Sequence, residues 1–142
     1  MSTSAPGQPV SLVTAPDNDN TVANRRYIKG ATATRAAPTG SSVGARTKNK
    51  RWITVVTKIN EVGMTWAWSL YTKSDEDGEW TLDTRLGTAG VVTLAQADAD
   101  NPQRTIVEIA GQDEVYISGT VTSGGGSGVD VWLLGSGQTE LG

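Results

Sequence analysis

Residues 64–71, Met-Thr-Trp-Ala-Trp-Ser-Leu-Tyr, alternate with a period of two. Met64, Trp66, Trp68 and Leu70 fall on one face, and Thr65, Ala67, Ser69 and Tyr71 on the other. That is the pattern of a strand half-buried in a sheet. Two indoles on one strand face need an opposing apolar layer, so this segment restricts the chain to folds in which sheets are packed. Six further segments, 51–59, 79–85, 90–94, 104–110, 114–122 and 128–134, are strand-like and bounded by Gly, Asp, Asn or Pro. Short strands at this spacing predict an all-β fold, a β-sandwich or jelly roll. Residues 74–78, Ser-Asp-Glu-Asp-Gly, read as a hairpin turn closed by Gly78 in the left-handed conformation. Trp66, Trp68, Trp80 and Leu82 are expected in the core. Residues 93–100 have room for one helical turn, and no longer segment has a sustained apolar period of 3.6.

Charge divides the chain at residue 51. Up to Arg51 it carries eight basic and two acidic residues, a net +6; beyond it the balance is −9, giving −3 overall. Residues 1–50 are rich in Ala, Thr, Ser, Pro, Gly and Asn. Large apolar side chains cluster there at Val10, Leu12 and Val13 and at Tyr27 and Ile28. The expectation is an extended basic N-terminal arm, 1–50, with a short strand at each apolar site, joined to an acidic β-sandwich domain, 51–142. That boundary predicts that the domain holds its fold without the arm. The N-terminal residues have no signal-peptide pattern and no stretch is long and apolar enough to span a membrane, so a soluble product is expected.

The chain has neither Cys nor His. Disulfides, thiolate nucleophiles, Cys-ligated zinc and histidine general bases are thereby excluded. Asp75, Asp77 and Glu79, and separately Asp98, Asp100 and Asn101, are acidic groups that could face a hard cation. Neither completes a calcium-loop pattern, and solvated turn carboxylates are the expectation, with no metal and no cofactor. Residues 124–128, Gly-Gly-Gly-Ser-Gly, lack the Lys-Ser/Thr of a phosphate loop, and Val129 stands where a nucleophile elbow needs its second Gly. Carboxylate pairs admit a hydrolase in principle, as they do in any acidic chain.

Trp132 behaves differently from the core tryptophans. If Val129, Val131 and Leu133 point inward, Trp132 points out; the same alternation turns Tyr116 outward, and Trp52 is external by its alternation with Ile53, Val55 and Ile59. Such residues anchor interfaces, so this outer face is expected to be covered by a partner or by the chain's own arm. On the arm, Arg25, Arg26, Tyr27, Arg46 and Lys48 are the candidate contacts. Their cations are thinly spread, with Tyr27 alone for stacking, and the acidic body repels phosphate. Docking on an acidic protein surface, such as the body of the next copy, is therefore favoured over nucleic acid.

The whole chain resembles small structural proteins of tailed-phage virions, of the capsid decoration or cement kind. The likeness lies in the general make-up of the chain. It has a Ser/Thr/Ala/Pro/Gly-rich arm, a compact β-domain running from residues 64–71 to residues 114–120 (Glu-Val-Tyr-Ile-Ser-Gly-Thr), and no His or Cys. A neck or tail component would share it. The resemblance implies a non-catalytic virion protein, made in the host cytoplasm, that binds other virion proteins at capsomer junctions. It also implies a homo-oligomer, often a trimer, with arms laid across neighbours. The alternative is a carbohydrate-binding β-sandwich, with Trp132, Tyr116 or Trp52 as a platform for sugar rings.

Overall fold

The structure, a computed structural model, describes residues 10–11, 28–31, 35–47, 50–59, 65–94, 102–123 and 128–136. They form ten strands: β1 (Val10–Ser11), β2 (Ile28–Ala31), β3 (Ala45–Arg46), β4 (Trp52–Ile59), β5 (Thr65–Lys73), β6 (Thr81–Leu82), β7 (Val92–Leu94), β8 (Gln103–Glu108), β9 (Glu114–Ser123) and β10 (Val129–Ser136). No helix occurs among the described residues. Two five-stranded antiparallel sheets pack face to face as a β-sandwich. The first has the order β1-β10-β4-β8, with β2 also on β10; the second has β3-β9-β5-β6, with β7 also on β5.

Alternation sets the core. β4 turns Ile53, Val55 and Ile59 inward and β10 turns Val129, Val131 and Leu133 inward, all buried. From the second sheet come Trp66, Trp68, Leu70, Val115 and Ile117. Trp66 and Trp68 are each 1% exposed. Burying an indole removes roughly 150–250 Å² from water, about 4–6 kcal/mol as an upper bound. Neither Nε1 has a hydrogen-bond partner, a penalty of about 1–3 kcal/mol each. The area term is the larger, so both indoles remain net stabilising in the core.

Gly119 makes room for this arrangement. It lies opposite Trp68 in the β5–β9 register, and the Trp66 indole lies over its backbone. A Cβ there would overlap the Trp66 ring atoms. A glycine inside a strand otherwise weakens it, and here the gain is close approach.

The described part of residues 1–50 belongs to this sandwich. β1 and β2 pair antiparallel with the outer edge of β10, Val10 opposite Gly135 and Ile28 opposite Val131. On the second sheet Arg35 bridges to Gly119 through reciprocal backbone hydrogen bonds, and β3 pairs with β9. Ala45 and Thr47 are buried, and the Thr47 hydroxyl donates to the Gln112 carbonyl at 3.0 Å. Packing therefore continues across the expected boundary at residues 50 and 51. A chain begun at Arg51 would lack the edge strands β1, β2 and β3 and part of the core.

Two local expectations are corrected. Of residues 79–85 only Thr81–Leu82 are strand; the Asp83 N–H still donates to the Leu70 carbonyl at 2.9 Å, and the Asp83 carboxylate accepts from the Arg85 backbone N–H at 3.0 Å as the chain turns away. Thr93 and Leu94 are strand, and the rest of the expected helical turn lies outside the described residues. The hairpin at 74–78 forms as expected, with Gly78 at φ 67° and its N–H donating to the Ser74 carbonyl.

Gly119→Ala forces a methyl group against a trapped indole and should destabilise the protein by roughly 1–3 kcal/mol. Urea denaturation checks this: the midpoint is expected to fall with the slope unchanged.

Candidate functional site

The three outward-facing aromatics divide between opposite faces of the sandwich. Tyr116 is on the outside of the second sheet, yet only 9% exposed. The arm covers it. The Arg35 guanidinium sits 4.5 Å from the ring centroid, and the Tyr116 hydroxyl donates to the Ala36 carbonyl at 3.0 Å. Trp80 packs beside it, with centroids 5.8 Å apart and planes tilted by 58°. The expectation that Trp80 is a core residue is corrected. The β5–β6 register, Tyr71 opposite Leu82 and Thr72 opposite Thr81, carries Trp80 to the outer side, where Lys73 lies 4.9 Å from its ring.

Below this stack Glu114 ties arm to body. Its carboxylate accepts from the Arg46 guanidinium at 2.8 Å and from the Gly44 N–H at 3.2 Å, with the Lys73 ammonium at 3.8 Å. Arg46 also forms a two-pronged pair with Asp75, at 2.9 and 3.1 Å. The acidic surface that Arg46 complements is thus that of its own chain. Asp75 is turned to Arg46, and Asp77 accepts from the Glu79 N–H. Among the described residues no three acidic side chains converge on a metal site. Arg25, Arg26, Tyr27 and Lys48 lie outside the described residues, as do Asp98, Asp100, Asn101 and residues 124–127.

The outside of the first sheet is different. Trp52, Thr54, Val56 and Lys58 of β4 lie between Glu108, Ile106 and Arg104 of β8 and Ser136, Leu134, Trp132 and Asp130 of β10. Trp52 is 38% exposed and Ile106 67%. Trp132 is half-buried and, with Val56, Pro102, Arg104 and Leu134, lines a groove of about 250 Å³. Trp132 is opposite Val56, four residues along β4 from Trp52, or roughly 13 Å. At the Trp52 end the Arg51 guanidinium stands 6.0 Å from the indole and pairs with Glu108 at 2.9 Å. Apolar side chains from three adjacent strands thus form one surface. Outward alternation pointed to Trp52 and Trp132. It missed Ile106, because Ile106 and Val107 are adjacent and both apolar, leaving the phase of β8 ambiguous.

A second concavity, a cleft of about 390 Å³, holds Asp83 and Glu108 near Thr72, Leu82 and Gln112. Asp83 is buried, and Arg85 binds both its oxygens, at 2.7 and 3.0 Å. The hydrogen bonds from Arg85 hold the Asp83 carboxyl below its ordinary range against the opposing effect of burial. It stays ionised and has no proton to give at neutral pH, so Asp83 does not serve as a general acid.

A carboxylate with a lowered folded-state pKa stabilises above its unfolded value and loses that contribution as pH falls through the folded one. Asp83→Asn should therefore reduce stability by about 1 kcal/mol at pH 7. Below the ordinary value of 3.8 the difference from the parent protein should shrink. Thermal melts across pH 7 to pH 2 measure this.

Comparison of the chain with protein-family models, with curated proteins and with solved structures returned no match.

Proposed function

We propose that this chain is a non-catalytic virion structural protein whose β-sandwich binds and stabilises a capsid or another virion assembly through the outside of its first sheet. The observation that carries the reading is the apolar surface formed by exposed Trp52 and Ile106 and half-buried Trp132 and Leu134, with buried Val56 between them, across β10, β4 and β8. An outer sheet face is ordinarily polar, and apolar side chains with two indoles on such a face suit a protein partner. Tyr116 and Arg46 have a different part in this proposal. They fasten the arm to the chain's own second sheet, which leaves the first sheet as the docking side. Arg25, Arg26, Tyr27 and Lys48 remain the arm's proposed contacts with neighbouring virion proteins. Many copies, each with a modest contact, would together resist opening of the shell.

The carbohydrate-binding reading draws on one feature, Trp132 in a groove beside Arg104. The other lining side chains, Val56, Pro102 and Leu134, have no group to hydrogen-bond a sugar hydroxyl, and that favours a protein partner.

The test is to purify particles made by cells carrying the genome that encodes the chain. The protein is expected to sediment with the particles in many copies. Trp52→Ser combined with Trp132→Ser should lower that occupancy by on the order of tenfold or more, with the fold unchanged by circular dichroism. Parent protein that stays in the soluble fraction contradicts the reading. Binding to a glycan array that is lost in Trp132→Ala supports the carbohydrate alternative.

A further inference from the structure

Among the described residues, β8 (Gln103–Glu108) pairs with a single strand, β4. The other edges of the two sheets carry strands of two to four residues. β8, with six, is the longest edge strand, and a free edge is a template for another chain. Its sequence, Gln-Arg-Thr-Ile-Val-Glu, is complementary to itself when run antiparallel about Ile106. Arg104 then meets Glu108 of the second copy, Thr105 meets Val107, and Ile106 meets its own counterpart.

The backbone favours the same register. The Ile109 N–H donates to the Arg51 carbonyl at 2.8 Å, so the odd-numbered residues of β8 direct their N–H and C=O groups at β4. The even-numbered ones point away from it. The Glu108 carbonyl bears this out, since it accepts from the Arg85 guanidinium at 2.8 Å on the side away from β4. That carbonyl keeps a second lone pair. A two-fold axis at Ile106 matches even residues with even residues, as hydrogen-bonded pairs. Shifting the register by two in either direction preserves this parity but separates Arg104 from Glu108. On the outer face the exposed Ile106 side chains would cover each other at the axis, flanked on each side by Arg104 against Glu108, whose carboxylate Arg51 of its own chain also holds at 2.9 Å.

We infer that two copies of this chain pair antiparallel through β8 about a two-fold axis at Ile106, joining their first sheets into one continuous sheet. The contact is isologous, so it closes at two copies without propagating. It also places the two Trp52 and Trp132 faces on one side of the pair, giving a bivalent apolar surface. The inference does not rest on a virion role.

The full-length protein is followed by light scattering over a dilution series, and a dimer is expected. Arg104→Glu alone and Glu108→Arg alone each place like charges opposite one another at both ends. Each should weaken dimerisation by on the order of tenfold. Mixed one to one, the two variants should recover dimer, because in the mixed pair both ends carry opposite charges. The chain has no Cys, so a single thiol reports position. A short thiol-to-thiol cross-linker should join Ile106→Cys copies efficiently. It should join Arg104→Cys copies at least about tenfold less, their thiols being roughly 14 Å apart along the strands. A monomer at every concentration, equal cross-linking at the two positions, or no recovery in the mixture would overturn the inference.

Discussion

The contact on which the rest depends is the Trp66 indole lying over the bare backbone of Gly119. β5 and β9 form the longest pairing in the molecule, from Thr65 opposite Ser123 to Lys73 opposite Glu114. Only a residue without a side chain leaves room for the ring at that point. Once Trp66 and Trp68 are inside, period two places every other residue of β5 outside, and the registers of β7 and β6 follow. The first sheet then needs only aliphatic side chains to complete the core, and Ile53, Val55, Ile59, Val129, Val131 and Leu133 supply them.

That packing governs what the arm does. Arg35 and Tyr116 make a cation–π contact, worth roughly 0.5–2 kcal/mol depending on how far it is desolvated. The exposed pair between Arg46 and Asp75 adds little by itself. Edge pairing by β3 and burial of Ala45 and Thr47 carry more weight, because they take backbone and apolar surface out of water. The segment 35–47 is thus structural in the same sense as the body strands. Among the described residues the outside of the first sheet receives no such cover between Trp52 and Ile106, which makes it the side proposed for docking.

Much of the architecture was legible in the sequence because the strands are short, alternating and bounded by turn residues. Segment 64–71 gave the phase of β5 correctly. Val129, Val131 and Leu133 gave the phase of β10, and Gly78 marked the turn between β5 and β6. What failed was information that lies between strands. Trp80 shares a face with Leu82 as expected, but only the pairing with β5 decides that this face is outside. Residues 31–44 read as a linker or a draped arm because Ala, Thr, Ser and Gly predominate, whereas the fit of 35–47 depends on Gly44 lying close to the Val115 carbonyl and the Trp80 ring. Composition does not report such proximity. The division of Trp52 and Trp132 from Tyr116 was equally hidden, since alternation says that a residue faces outward without saying from which sheet.

Packing, then, divides the tryptophans, with Trp66 and Trp68 sealed between the sheets and Trp52 presented on the outside. Hydrogen exchange of the indole N–H groups, followed by nuclear magnetic resonance on protein carrying nitrogen-15 in its tryptophans, tests this residue by residue. The Trp52 proton should exchange at once, while those of Trp66 and Trp68 should persist until the whole fold opens. Exchange of Trp66 or Trp68 as fast as Trp52 would contradict the account.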